Sequence, residues 1–304
     1  MGGSLGHLLD LFFLARPVLV AVVWIFPLAG ARGLAEDDPR LWLLLIQCAG
    51  LAGAAFAYNQ VHDLAGDRLN RKCETLTRGL ASGREARLVA ALLAAGGLLA
   101  AWKLGRGHLL AGLAFGAIAG LGYNLPPLRA KDRPYLAPLL AGPAYALLIL
   151  QGAALAGSAG LLLALPLVLP LVLAGLALSL LATVPDLAGD RTVGKRTWAV
   201  VHGAGATWRT ALALMGAAAL LALLGRDWQI ALPAIASALF MTRGLARPEE
   251  AREALLVLRW SVAAQAMALL PSWPMISLGV ALFLLAARPY YRWRFGVDYP
   301  ALGS

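Results

Sequence analysis

Apolar runs of roughly 15 to 24 residues, each long enough to cross a bilayer as a helix, recur from one end of this chain to the other and are separated by short polar or basic stretches. The first runs from about Leu11 to Leu28 and is closed by the turn Glu36-Asp37-Asp38-Pro39. Further runs follow at about Leu41–Asn59, Leu88–Trp102, Leu109–Tyr123, Leu136–Ala156, Leu161–Val184, Thr210–Leu224 and Ile230–Leu245. The last apolar stretch, Ala254–Ala287, is interrupted by Pro271 and Pro274, and reads either as one span with an interfacial helix or as two spans. Strands alternating apolar and polar residues at barrel length are not seen, so the spans are expected to be helices. The pattern predicts an all-α polytopic membrane protein: a single domain over residues 1–304, built as a bundle of about nine transmembrane helices, or ten, around a central cavity.

Composition agrees. Of 304 residues, 60% are hydrophobic and 14% charged, and the mean hydropathy is +0.73, too apolar for an ordinary water-soluble domain. The net charge of +10 would fit a nucleic-acid binder, but the basic residues lie in short loops between spans, where membrane topology puts them. No nucleic-acid partner is expected; the lipid bilayer is. The loops after the second, fourth, sixth and eighth runs are rich in Arg and Lys and those after the odd runs are poor, which orients the rich loops toward the cytoplasm. The basic tail with Arg288, Arg292 and Arg294 would also lie there with ten spans and on the opposite face with nine. Cys48 and Cys73 have no partner spacing and imply neither a disulfide framework nor a zinc site.

One hexapeptide occurs twice. Asp63-Leu64-Ala65-Gly66-Asp67-Arg68 returns unchanged at Asp186-Leu187-Ala188-Gly189-Asp190-Arg191, both times at the end of an apolar run and before a basic loop. On a helix, residues four apart differ by about 40° around the axis, so Asp63 and Asp67 share a face with Asn59 one turn earlier, and Asp186 and Asp190 repeat the arrangement. Ionisable groups at the membrane border are costly and persist where they are paired or functional. Four carboxylates and an amide are hard oxygen donors suited to Mg²⁺ or Mn²⁺, and magnesium points to a phosphate-bearing ligand. Lys72, Arg78, Arg129, Lys131 and Lys195 are candidates to meet that phosphate, with Arg16 from the first span and the Tyr123 hydroxyl beside them. His62 is turned about 100° around the helix from Asp63 and reads as a neutral loop histidine.

These residues resemble a family. Asn59-Gln60-Val61-His62-Asp63-Leu64-Ala65-Gly66-Asp67 resembles the N-x-x-x-D-x-x-x-D motif of the UbiA superfamily of intramembrane prenyltransferases, and Asp186–Asp190 resembles its second D-x-x-x-D motif. Gly194-Lys195-Arg196-Thr197 and His202-Gly203 resemble the residues that often trail the second motif, and Tyr123-Asn124-Leu125-Pro126-Pro127-Leu128-Arg129-Ala130-Lys131 resembles the Y-S-x-P-P-L-R-x-K segment of quinone-, tocopherol- and chlorophyll-type members. The family's R-P-I-x-S-G reads Arg78-Gly79-Leu80-Ala81-Ser82-Gly83 here, without the proline, and Gln60 stands where many members carry a second acid.

The resemblance implies transfer of a polyprenyl group from its diphosphate to a small acceptor. Mg²⁺ would be held by Asn59, Asp63, Asp67, Asp186 and Asp190, with the aspartates as the catalytic set. The Tyr123 segment favours an aromatic or quinonoid acceptor; glycerol-phosphate lipids, a sugar phosphate and haem are the alternatives. The expected location is a prokaryotic cell membrane, with the site facing the cytoplasm. A cation-coupled transporter would place its acids nearer mid-membrane than these, and a CDP-alcohol phosphotransferase would carry a D-G-x-x-A-R motif that is absent. The sequence sets no oligomeric state.

Overall fold

The computed structural model describes residues 4–70, 75–269 and 271–299, and among them every regular element is helical. In order these are α1 (Ser4–Leu14), α2 (Pro17–Val23), α3 (Ile25–Gly30), α4 (Pro39–Leu69), α5 (Gly83–Leu104), α6 (Arg106–Phe115) with a π-helical continuation (Gly116–Gly122), a 3₁₀ turn (Ala130–Asp132), α7 (Leu136–Ala154), α8 (Gly157–Leu181), α9 (Leu187–Thr192), α10 (Trp198–His202), α11 (Ala204–Leu224), α12 (Trp228–Gly244), α13 (Ala251–Met267) and α14 (Pro274–Phe295). Among the described residues, seven stretches are long and apolar enough to cross a membrane: Ser4–Gly30, α4, α5, α7, α8, α11 and α14. The chain is therefore an integral membrane protein. Its outer face is hydrocarbon-like, as Leu162 and Leu163 on α8 show at 69% and 76% exposure.

The expected apolar runs are helical, with informative changes at their ends. The first apolar run is broken at Arg16, just before Pro17, and again at Trp24, whose indole N–H donates to the Leu45 carbonyl at 3.1 Å. The fourth run loosens into π geometry where Gly116, Gly120 and Gly122 cluster, and the Asn124 amide donates to the Gly120 carbonyl at 2.8 Å. The stretch 254–287 resolves into two helices that meet before Pro274. α8 stops at Leu181, short of the expected Val184; the chain turns through Pro185, and the second acidic motif starts a separate six-residue helix, α9. Pro185 has no N–H to continue the ladder. The two copies of DLAGDR are thus identical in sequence but unlike in context, since the first ends the unbroken 31-residue α4.

α14 runs antiparallel to the first helical stretch. At its start the Glu36 carboxylate accepts the backbone N–H of Met275 at 3.1 Å, and the Trp273 indole reaches the Leu28 carbonyl at 3.2 Å. At its end the buried Asp10 carboxylate accepts from the Tyr290 hydroxyl at 3.0 Å and the Arg294 Nε–H at 2.8 Å, while the Tyr290 ring stacks on Phe13 with centroids 3.7 Å apart. Polar side chains inside the bundle meet across helices: Gln47 with Gln151, and Tyr145 with Ser179. Such pairs satisfy groups that lipid cannot. A small apolar cavity of about 40 Å³ lies between α2, α3, α8 and α13, lined by residues including Phe26, Leu171, Gly175 and Gln265.

The tightest crossing is that of α3 and α7. A Cβ at Gly30 would lie 1.9 Å from the Ile149 carbonyl oxygen, and one at Gly152 2.0 Å from that of Pro27. Both contacts are with backbone, so only a shift of whole helices could relieve them. Gly152→Ala is expected to cost about 1–3 kcal/mol, read as a lowered thermal midpoint in detergent, whereas alanine at Gly96, which has nothing within 4 Å of its would-be Cβ, should leave that midpoint in place.

Candidate active site

Two lysines tie the acidic motifs together. Asn59 and Asp63 lie one turn apart on α4, and the Lys131 ammonium, from the 3₁₀ turn, donates to Asn59 Oδ1 at 2.6 Å and lies 3.0 Å from Asp63 Oδ2. The Lys195 ammonium, from the loop after α9, lies 3.0 Å from Asp63 Oδ1 and 3.4 Å from Asp190 Oδ1. Asp63 therefore sits between two cations, and Lys195 between two carboxylates contributed by the two motifs. Asp67, one turn further along α4, is 3.9 Å from Arg16 Nη2. Asp63, Asp67 and Asp190 are all buried, and Asp186, the residue that leads into α9, is half-buried.

Backbone geometry makes this possible. The glycines of the two hexapeptides line the junction of α4 with α9: a Cβ at Gly66 would lie 3.6 Å from Lys195 Nζ, and one at Gly189 2.0 Å from Asn70 Oδ1. The Lys195 N–H donates to the Asp190 carbonyl at 2.9 Å, folding the loop back over α9, and the Arg196 N–H donates to the Asp132 carbonyl at 3.1 Å, joining the loops that carry the two lysines. Burial disfavours the Lys195 ammonium, but Asp63 and Asp190 outweigh it and hold its pKa above the usual lysine range. At Lys131 burial prevails, and Asp63 offsets it only in part, so its pKa falls below that range.

The other expected phosphate ligands are placed less uniformly. Arg129 has a left-handed backbone, φ 38°, and its Nε is 2.5 Å from Asp132 Oδ2, a partner the sequence reading missed although it stands three residues on. Arg16, φ 49°, shares that conformation, as does Arg226, φ 55°, in the turn between α11 and α12. Non-glycine residues are rare in this region, and they concentrate at functional sites. Tyr123 ends the π-helical segment, half-buried, near enough to Asp63 and Asp132 to feel both charges. Arg78 is exposed on the turn that follows α4. Lys72 lies outside the described residues. His62 packs edge-on against Tyr58, with centroids 4.8 Å apart. Gln60 was read only as a departure from a motif; its side-chain amide is in fact buried against α1.

The donors brought together are carboxylate and amide oxygens, the set expected for a hard divalent cation. Among the described residues no three His, Cys, Asp or Glu side chains converge closely enough to ligate one ion. The carboxylates are instead linked through lysine ammonium groups, which can turn toward an arriving anion and leave their oxygens to a metal.

The fold and site together are those of an all-helical membrane bundle with carboxylates and lysines paired at one end. A model of the UbiA prenyltransferase family matches residues 18–262, and the chain belongs to that family. It is accordingly a transferase of prenyl groups. Among solved structures it is similar to a UbiA homologue from Archaeoglobus fulgidus bound to DMAPP and Mg²⁺ (17% identity, 86% of this chain and 99% of that one, TM-score 0.67). It is also similar to an apo UbiA homologue from Aeropyrum pernix K1 (20% identity, 88% and 98%, TM-score 0.64). A third similar structure is described as digeranylgeranylglyceryl phosphate synthase (17% identity, 90% and 98%, TM-score 0.62). These likenesses establish a common fold. No curated protein sequence matches the chain.

Lys195→Met should destabilise the metal-free protein by about 3 kcal/mol, because Asp63 and Asp190 then face each other across a buried junction without their shared cation. Thermal unfolding in EDTA checks this, and a midpoint equal to the wild type's would contradict it.

Proposed function

We propose that this protein transfers a prenyl group from a prenyl diphosphate to an aromatic or quinonoid acceptor, with Mg²⁺ held by Asn59, Asp63, Asp67, Asp186 and Asp190. The observation that carries the reading is the shared cation: Lys195 lies between Asp63 of one motif and Asp190 of the other, so both motifs bear on one anion site. Bound Mg²⁺ would supply Lewis-acid neutralisation of the leaving diphosphate. Lys131 and Lys195 then turn from the carboxylates to phosphate oxygens, joined by Arg16, Arg78 and Arg129, with Tyr123 orienting the group. Lys72 belongs to the same proposed set. The hydrocarbon chain would extend between the helices toward the apolar cavity beside Phe26 and Gly175. The surrounding lipid and helices keep water from the allylic cation as the carbon–oxygen bond breaks.

The acceptor class rests on the Tyr123–Lys131 segment, which ends in the lysine bonded to Asn59. The similar structure described as digeranylgeranylglyceryl phosphate synthase makes a glyceryl phosphate the second acceptor to test. Release of diphosphate from geranylgeranyl diphosphate should require Mg²⁺, stop in EDTA, and fall at least about a hundred-fold in Asp63→Ala and in Asp190→Ala. A panel of phenolic, quinonoid and glyceryl-phosphate acceptors then assigns the class, and turnover that survives either substitution or EDTA would refute the site.

We also propose ten crossings of a prokaryotic cell membrane rather than nine. The seven stretches of spanning length, together with α6 and its π continuation, α12 and α13, make ten. The antiparallel course of α14 beside the first stretch then brings the basic tail to the face that carries both acidic motifs. That face is the cytoplasmic one by charge distribution. Single cysteines introduced at Gly296 and at Arg133, in a chain lacking Cys48 and Cys73, should react with a membrane-impermeant maleimide from the same side; labelling from opposite sides would restore nine.

A further inference from the structure

The break between α1 and α2 leaves a carbonyl group that needs a donor. In an unbroken helix Leu14 C=O would accept an N–H from the next turn, but the chain turns at Arg16, with φ 49° and ψ 57°, into Pro17. Leu14 is fully buried, so water does not supply the donor. Gln60 supplies it: its amide, 1% exposed, donates to Leu14 O at 2.7 Å. Gln60 and Asp67 are seven residues apart on α4, about 10 Å along the axis and within about 20° of the same face. From that face Asp67 meets the Arg16 guanidinium at 3.9 Å. α4 thus grips the break at two points, one on the backbone just before Arg16 and one on its side chain. One turn earlier on α1 the buried Asp10 is bonded to Tyr290 and Arg294 of α14, which ties α1 down independently of α4.

The geometry points to Gln60 as a positioning residue that holds the strained α1–α2 break so that Arg16 faces the carboxylates of the first motif. Only a donor works at this position. An ionised carboxylate would meet a buried carbonyl oxygen with another oxygen, so the contact calls for an amide. The role rests on the proposed function, because Arg16 is held for the diphosphate.

The test is binding of inorganic diphosphate in Mg²⁺ by calorimetry on the full-length protein in detergent, together with the KM and kcat for geranylgeranyl diphosphate. Gln60→Leu and Gln60→Glu are each made alone and on an Arg16→Ala background, with Asp63→Ala as the control on the site itself. Gln60→Met replaces Gln60→Leu if the latter does not purify as a single species. With Arg16 present, Gln60→Leu should weaken diphosphate binding about ten-fold, with the loss falling on KM more than on kcat because Arg16 binds ground and transition states alike. On the Arg16→Ala background it should change binding less than about two-fold, since the effect passes through Arg16. Equal losses on both backgrounds, or none on either, would overturn the inference. So would Gln60→Glu binding as tightly as the wild type at a pH high enough to ionise the new carboxyl, since no donor would then be needed at position 60. If Asp63→Ala abolishes binding while Gln60→Leu does not alter it, only this inference fails; if the wild type binds no diphosphate, the proposed function fails with it.

Discussion

A single ammonium group, that of Lys195, sits between carboxylates that are more than a hundred residues apart in the chain, and the end of the bundle that carries the two motifs is arranged to keep it there. Asp63 and Asp190 approach one cation from different helices. Without it, two negative charges would face each other in a buried place, with only Lys131 left beside Asp63. The loop after α9 folds back on the Asp190 carbonyl to deliver the lysine, and Asp132 accepts an N–H from that same loop, so that Lys131 arrives beside it. That hydrogen bond joins the loops that carry the two lysines.

That junction also explains the hexapeptide repeat. Its aspartates bring the charge, and its glycines allow the helices to come close enough for one cation to serve both. Gly189 leaves the space that the Asn70 amide fills, and Gly66 leaves room for the Lys195 side chain. Near the ends of α3 and α7 the same device recurs without charge, where Gly30 and Gly152 let the two helices meet backbone to backbone. In lipid, where apolar surface drives helices together only weakly, such close contact is a main source of cohesion.

The site also borrows from parts of the chain that lie outside the family match at 18–262. α1 begins before it and α14 follows it, and the two are fastened by Asp10, Tyr290, Arg294 and Phe13. What they brace is the break at Arg16, a residue in a costly backbone conformation. Such strain persists where surrounding contacts over-determine it, and here contacts from α4 and α14 do so.

Much of this was legible in the sequence. Apolar run length fixes a helical membrane protein, because a backbone in lipid must satisfy its own hydrogen bonds. The spacing Asn59, Asp63, Asp67 places oxygen donors on one face wherever a helix forms, and α4 is such a helix. Asp186 and Asp190 share their spacing, yet the turn at Pro185 puts them on a separate helix, because a proline's missing N–H acts locally and overrides a repeat. What the sequence could not contain is which cation meets which carboxylate. Lys131, Lys195 and Arg129 read alike as loop bases and Arg16 as a base on the first span, and only folding sorts them: two into the shared pairs, one onto Asp132, one against Asp67. Gln60 is the sharpest case. Its neighbour Asn59 marks a motif by residue type, whereas Gln60 acts by reaching a carbonyl 46 residues away, an acceptor that exists only because a different helix breaks at that point.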